Sequence, residues 1–122
     1  MARGLDKHRA RLDAIQFLGK GLARRAKRKC ELCEHGDDLR PYDTAPNDEP
    51  SLEALALLCE RCRDVADGRK DDARTLRFLE GAVWNETPIV ATLARRMLSE
   101  LDVDWARDTL DLLPAETDEE SD

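Results

Sequence analysis

Apolar residues recur at roughly helical intervals through the first part of the chain, at Leu5, Leu12, Ile15, Phe17, Leu18 and Leu22 among Arg and Lys. The pattern predicts an N-terminal helix with Gly19 and Gly21 as weak points. This helix runs into the basic stretch Arg24, Arg25, Lys27, Arg28 and Lys29. Further on, Leu39-Arg40-Pro41-Tyr42 has short-strand character, and Thr44-Ala45-Pro46-Asn47-Asp48-Glu49-Pro50 reads as a turn-rich loop. The segment Ser51 to Leu58 supports two readings. Its Leu and Ala content favours helix, whereas a metal-binding hairpin needs its last residues extended into Cys59.

The rest of the chain reads as short helices. Glu60 to Ala66 is predicted to be one, stopped near Gly68. Asp71 to Glu80 is predicted to be another, capped by Asp71 or Asp72 and closed by Gly81. Thr87-Pro88 starts the clearest helix, with Thr87 as the cap and Pro88 at the first position, where its missing N–H is not needed. Ile89, Val90, Leu93, Ala94, Met97, Leu98 and Leu101 form its apolar face, with Arg95, Arg96 and Glu100 away from it. Asp104 is the expected cap of a last helix carrying Trp105, Ala106, Leu110, Leu112 and Leu113, stopped at Pro114. Glu116 to Asp122 holds five acidic residues in seven and is expected to be disordered.

These elements define an α+β fold that is mostly helical. A small treble-clef or zinc-knuckle hairpin is flanked by an N-terminal helix and packed against three or four short C-terminal helices. The chain divides into a basic helix or arm (1–29), a four-cysteine module (30–63), a helical region (64–114) and an acidic tail (115–122). The expected apolar core beside the cysteines is Trp84, Leu93, Met97, Leu98, Trp105 and Leu110.

Composition sharpens this picture. In 122 residues with 41% hydrophobic side chains and only five Phe, Trp and Tyr, the core is modest and benefits from a staple. No apolar stretch approaches the roughly 18 residues that cross a bilayer, and the basic N-terminus lacks the apolar run of a secretory signal. The expectation is a soluble cytoplasmic protein without a membrane partner. The net charge of -7 hides an asymmetry. Met1 to Lys29 carries ten Lys and Arg against two Asp, leaving ten basic and 25 acidic residues in the remainder. A basic arm on an acidic body either docks on that body or reaches an anionic partner.

The four cysteines form two C-x-x-C units, Cys30/Cys33 and Cys59/Cys62. Thiols stay reduced in the cytoplasm, so this pairing points to metal rather than disulfides. A C-x-x-C turn puts two sulfurs on one side of a knuckle, and two knuckles complete a tetrahedral shell for one zinc ion. The 25 residues between Cys33 and Cys59 are readily closed, because loop entropy grows only logarithmically with length. Iron is the minor alternative, and a redox dithiol explains only one pair. Four thiolates leave no position for water, so the metal is expected to hold the fold and do no chemistry. Lys29, Arg61 and Arg63 lie beside the ligands in sequence, where they would offset the charge of the thiolates. The two histidines, His8 and His35, read as solvated side chains, with ligation or thiolate hydrogen bonding by His35 the rarer reading. There is no phosphate-binding Gly loop, nucleophile elbow or H-E-x-x-H. The chain is therefore read as a binding module more readily than as an enzyme.

Several segments carry a resemblance. Cys30-Glu31-Leu32-Cys33, Leu39, Tyr42 and Pro46 are followed by Leu58-Cys59-Glu60-Arg61-Cys62 and Leu76-Arg77-Phe78-Leu79. Val83-Trp84-Asn85-Glu86-Thr87-Pro88, Arg96-Met97-Leu98 and Trp105-Ala106-Arg107-Asp108-Thr109-Leu110-Asp111-Leu112-Leu113 complete the series. In this order they resemble the PhnA family, the alkylphosphonate utilisation operon protein, over roughly Arg24 to Leu113. The Trp-x-Glu-x-Pro segment and the terminal Trp-Ala run are the most specific parts. The chain departs from that pattern with Glu34 where a Gly follows the second cysteine, and with Thr75-Leu76-Arg77 where a His-Trp-Arg segment is expected. The resemblance implies a zinc-ribbon-like module, and the family name reflects neighbourhood with phosphonate genes without establishing a reaction. A weaker likeness, over Cys30 to Arg63 only, is to zinc-bound HNH endonucleases. Pro41-Tyr42-Asp43 stands where their His pair would be, and Arg63 where their last His would be, so the catalytic base and metal ligands of that motif are missing.

Three functional classes follow. The arm from Arg3 to Lys29, above all its five basic residues from Arg24 to Lys29, is a candidate nucleic-acid contact with steep salt dependence. The competing reading has the arm as a solvated helix docked on the acidic body. With both tryptophans in apolar helix contexts, the sequence offers no stacking platform for single strands. An enzyme or accessory factor of phosphonate metabolism is the rival class, and it predicts a cleft of convergent basic and carboxylate groups near the loop Tyr42 to Asn47. A sensor that loses its metal on oxidation is a third.

Overall fold

A computed structural model describes residues 2–114, with side chains from residue 7 onward; the acidic tail expected at 115–122 lies outside them. Helix α1 runs unbroken over Ala2–Ala26. Strand β1 (Arg40–Asp43) pairs antiparallel with β2 (Leu55–Leu58), Arg40 opposite Leu58 and Asp43 opposite Leu55. Four helices follow: α2 (Glu60–Ala66), α3 (Leu79–Ala82), α4 (Pro88–Ser99) and α5 (Asp104–Asp111). The mostly helical α+β architecture is the one the sequence predicts.

The ambiguous segment 51–58 resolves into a single 3-10 turn, Leu52–Ala54, and then a strand whose four residues are all buried. The reason is burial on both faces. Leu55 and Leu57 pack with Ile15, Leu18, Leu22 and Ala26 of α1, while Ala56 and Leu58 join the main core beside the cysteines. Side chains of a strand alternate between faces, so an unbroken Leu/Ala run fits a strand covered on both sides as well as it fits a helix.

Helix α1 passes through Gly19 and Gly21 without breaking. Gly21 is a point of close approach: a Cβ there would lie 3.2 Å from Leu52 Cδ1. The helix contacts the body through Ile15, Leu18 and Leu22, whereas Phe17 is 86% exposed and Leu12 53% exposed, so those two stand outside the core. Arg11 clamps the 43–48 loop, pairing with Asp43 at 2.8 Å and donating to the carbonyls of Ala45 and Asp48.

Helix α2 ends in a Schellman turn. Gly68 adopts φ 108°, its N–H meets the Val65 carbonyl, and the Arg69 N–H meets that of Asp64. Helix α1 ends the same way, with the Lys27 N–H on Arg24 and the Arg28 N–H on Ala23. Here, however, the left-handed positions are filled by Lys27 and Arg28, at φ 57° and 59°. Side chains in that region cost roughly 1–2 kcal/mol each relative to glycine.

The segment expected as one helix from Asp71 to Glu80 is instead a 3-10 turn, Ala73–Leu76, and the short α3. Asp72 does cap the first, accepting from the Arg74 N–H at 3.0 Å, but Gly81 lies inside α3 and closes nothing. Thr87 and Pro88 open α4 as expected, although the Thr87 side chain makes no capping bond. Val90, Leu93, Ala94, Met97 and Leu98 form its buried face. Asp104 is the first residue of α5, preceded by Val103 in the cap position.

Of the expected core, Leu93, Met97 and Leu98 are buried, and Trp105 and Leu110 pack partly buried against them. Trp84 is not in the core; it is 55% exposed. Leu76, Leu79, Ala82 and Val83 are spaced to bury one side of the 3-10/α3 segment, and Trp84, one residue past Val83, is turned away from it.

Candidate metal centre

The four cysteines reach one point from two pieces of chain. The first knuckle is a tight turn after α1, in which the Glu34 N–H returns to the Cys30 carbonyl and the Cys30 N–H to that of His35, both at 2.8 Å. The turn requires Glu34 at φ 68°, which explains why a glycine suits this position. The second knuckle is the junction of β2 and α2. Cys59 is extended and caps α2, and Cys62 lies in the first turn of that helix.

All four sulfurs lie within 4.8 Å of one another, Cys33 and Cys59 at 3.6 Å. A tetrahedral ion about 2.3 Å from each sulfur sets sulfur–sulfur edges of about 3.8 Å, so the cluster has the dimensions to hold a metal ion. Cys30, Cys59 and Cys62 are buried and Cys33 is half-buried.

The electrostatics point the same way. Cys62 donates to Cys30 and holds that thiol down at about 4, against burial and with help from the backbone N–H groups of Cys33, Cys59 and Leu32. The Cys62 thiol is pushed strongly up by the same bond and then by burial. Burial, with repulsion from Cys30 among the lesser causes, raises Cys33 to about 11. Four sulfurs this close, three of them buried, cannot all ionise against each other, so a full set of thiolates requires a cation among them.

The scaffold that joins the knuckles is an ion pair the sequence did not reveal, and it takes Arg25 out of the basic stretch expected to meet an anionic partner. The Arg25 guanidinium grips Glu31 with two bonds, Nε to Oε2 at 2.9 Å and Nη2 to Oε1 at 2.8 Å. It also donates to the carbonyls of Leu52 and Leu55. Glu31 in turn accepts from the Leu57 N–H at 2.9 Å, while the Glu31 N–H donates to the Leu57 carbonyl. Helix α1, the first knuckle and β2 are thereby locked together beside the cysteines.

Of the three cations expected to offset the thiolates, Arg61 borders an opening with Cys33 and Cys59. Arg61 binds Asp71 and Thr75 and lies 5.7 Å from the Phe78 ring centroid, tying α2 to the next turn. Arg63 donates to the carbonyls of Leu58 and Asp38. Lys29 lines a separate cleft on the other side of the first knuckle. The His35 side chain is exposed and pairs with Asp37 at 3.3 Å; its ring is not bonded to the sulfurs, although the residue borders an opening shared with Cys33, Cys59, Arg61 and Phe78. His8 is exposed on α1.

The positions aligned with the HNH motif are engaged in structure. The Tyr42 hydroxyl donates to Asp67 at 2.7 Å, Asp43 holds Arg11, and Arg63 is bonded as described. In the loop Tyr42 to Asn47 a basic and a carboxylate group do converge, but Arg11 and Asp43 are turned on each other and on the loop's own carbonyls. Among the described residues, no helix is long and apolar enough to cross a membrane. No protein family, curated protein or solved structure matches this chain.

Proposed function

We propose that this chain is a PhnA-like zinc protein in which Cys30, Cys33, Cys59 and Cys62 ligate one structural ion and the fold serves as a non-catalytic binding or adaptor module. The observation that carries the reading is the convergence of four sulfurs within 4.8 Å from two separate knuckles. Zinc suits the donor set, because it has no geometric preference of its own and accepts four soft thiolates. With four thiolates its coordination sphere is full, which leaves no place for a substrate or an activated water. A reducing cytoplasm is the compartment in which such thiols persist. The PhnA likeness is supported by the order of motifs from Cys30 to Leu113, and Glu34 and Thr75-Leu76-Arg77 mark a divergent member.

Elemental analysis of protein purified without added metal, with far-UV circular dichroism before and after chelation, tests the reading. One zinc per chain and loss of helix on removal are expected. Absence of zinc, or a fold indifferent to chelation, overturns the staple and returns the cysteines to redox chemistry.

A further inference from the structure

The exposed indole of Trp84 does not stand alone. It lines an open cleft of about 550 Å³ between the end of α1 and the turn from α3 to α4, together with Lys27, Lys29, Asn85, Glu34 and Glu86. The floor is the Arg25–Glu31 pair, whose charges are spent on each other and on backbone groups. Lys27 and Lys29 of the lining, and Arg24 and Arg28 close to them in the chain, are all exposed, and among the described residues no ion pair engages them. The free carboxylates Glu34 and Glu86 balance the two lining lysines, so the positive excess of this region comes from Arg24 and Arg28, next to the lining residues in the chain, on a molecule whose net charge is -7.

Two further features fit an occupant that is both flat and anionic. Lys27 and Arg28 occupy consecutive left-handed positions where glycine is the favoured residue, a form of strain that collects at functional sites. Asn85 also lines the cleft, and with its side-chain carbonyl oxygen taken by the Thr87 N–H at 2.8 Å its amide N–H groups are what it has left to donate. The other tryptophan, Trp105, is covered by the Arg77 guanidinium 4.9 Å from its ring. Trp84 is thus the exposed tryptophan face, and it shares the cleft with Lys27 and Lys29.

We propose that this cleft binds single-stranded nucleic acid, with a base stacked on Trp84 and flanking phosphates held by Lys27, Arg28 and Lys29. The inference rests on the reading of the chain as a binding module and supplies its ligand. A stacked base needs an accessible aromatic face and tolerates any sequence, while phosphates need cations along the adjoining backbone. The absence of a stacking platform, expected from the sequence, is corrected by the outward rotation of Trp84. A duplex would be a poorer fit, because its bases are already stacked on each other.

The test is binding of a fluorescently labelled ten-nucleotide oligo(dT) and oligo(U) to the full chain, followed by anisotropy across a salt series and by tryptophan emission. Both oligomers are expected to bind and to quench emission, with affinity falling as salt rises at a log–log slope of about -2 to -3. Trp84→Ala should weaken binding about tenfold or more and abolish the quenching. Lys27→Gly relieves the left-handed position, so it should fold at least as well while flattening the salt slope by about 0.7. Glu86→Gln should tighten binding, as expected only for an anionic ligand. A zinc-loaded, folded chain that fails to bind either oligomer overturns the ligand while leaving the metal module standing; zinc content, measured on the same sample, decides the module separately. Equal binding by wild type and Trp84→Ala, or equal binding of polyglutamate, also overturns the proposal and indicates a merely ionic surface or an acidic protein partner.

Discussion

Arg25 and Glu31 are joined by a two-pronged ion pair, with Glu31 almost wholly buried and Arg25 mostly so. The other side-chain hydrogen bonds of the pair described above go to the backbone of the 52–57 segment. Glu31 lies between the two cysteines of its knuckle in sequence, so this pair sets the knuckle against β2.

Removing one partner should be costly, since the other charge is left buried. Glu31→Ala and Arg25→Ala are each expected to destabilise the metal-bound protein by about 2–4 kcal/mol in denaturant unfolding. Arg25→Lys should recover little, because an ammonium cannot make the fork. A double-mutant cycle is the check, and the double variant should lose much less than the sum of the two. Additive losses would show that the pair is not a unit.

The two knuckles differ in exposure, and that difference predicts an order of sensitivity. Cys62 is fully buried in α2, while Cys33 is half-buried beside the opening lined by His35, Arg61 and Phe78. Cys62→Ser should abolish stoichiometric metal binding and unfold the four-cysteine module, because a buried hydroxyl replaces a ligand. Cys33→Ser should weaken metal binding but leave a foldable protein, with water reaching the vacated position. Metal titration monitored by circular dichroism distinguishes them, and equal behaviour would argue against the asymmetry.

Metal affinity should also rise with pH. Cys33 is raised to about 11 and Cys62 is raised further, so at neutral pH these positions hold protons in the metal-free protein, whereas Cys30, at about 4, is already ionised. An arriving cation must displace the protons on Cys33 and Cys62, and acid opposes that displacement. Competition with a chelator between about pH 6 and pH 8 should show tightening toward the alkaline end. Calorimetry in buffers of different ionisation enthalpy should report proton release; a pH-independent affinity would contradict the linkage.

Much of this was legible because cysteine knuckles and helix ends are local. Two C-x-x-C units, Thr87-Pro88 and the Gly68 stop each state their structure within a few residues. What was not legible depends on contacts distant in sequence. The 55–58 strand is fixed by α1 on one face and the main core on the other, and no local window contains that information. Trp84 looked like core because its neighbours Ala82 and Val83 are core, and only the path of the short α3 turns its ring outward. Glu31 had no visible role until Arg25, six residues away across a left-handed turn, was brought onto it.

The backbone conformations make a last prediction at three positions, stabilising at two and destabilising at one. Gly81 sits exposed inside α3 with nothing within 4 Å of where a Cβ would be, so Gly81→Ala should stabilise the protein by about 0.5–1 kcal/mol through helix propensity alone. Gly68 also has open space, but its φ of 108° is unsuited to a side chain, so Gly68→Ala should destabilise by about 1 kcal/mol or more. Glu34 is the converse case: a charged residue at φ 68° in the first knuckle, exposed and in no ion pair among the described residues. Glu34→Gly should therefore stabilise by up to about 1 kcal/mol and hold the Cys30–Cys33 turn in its ligating shape. Thermal unfolding of the three single variants in the presence of metal is the measurement. A destabilised Glu34→Gly would mean that the carboxylate makes a contribution larger than the strain it imposes, and would turn attention to what it meets across the Trp84 cleft.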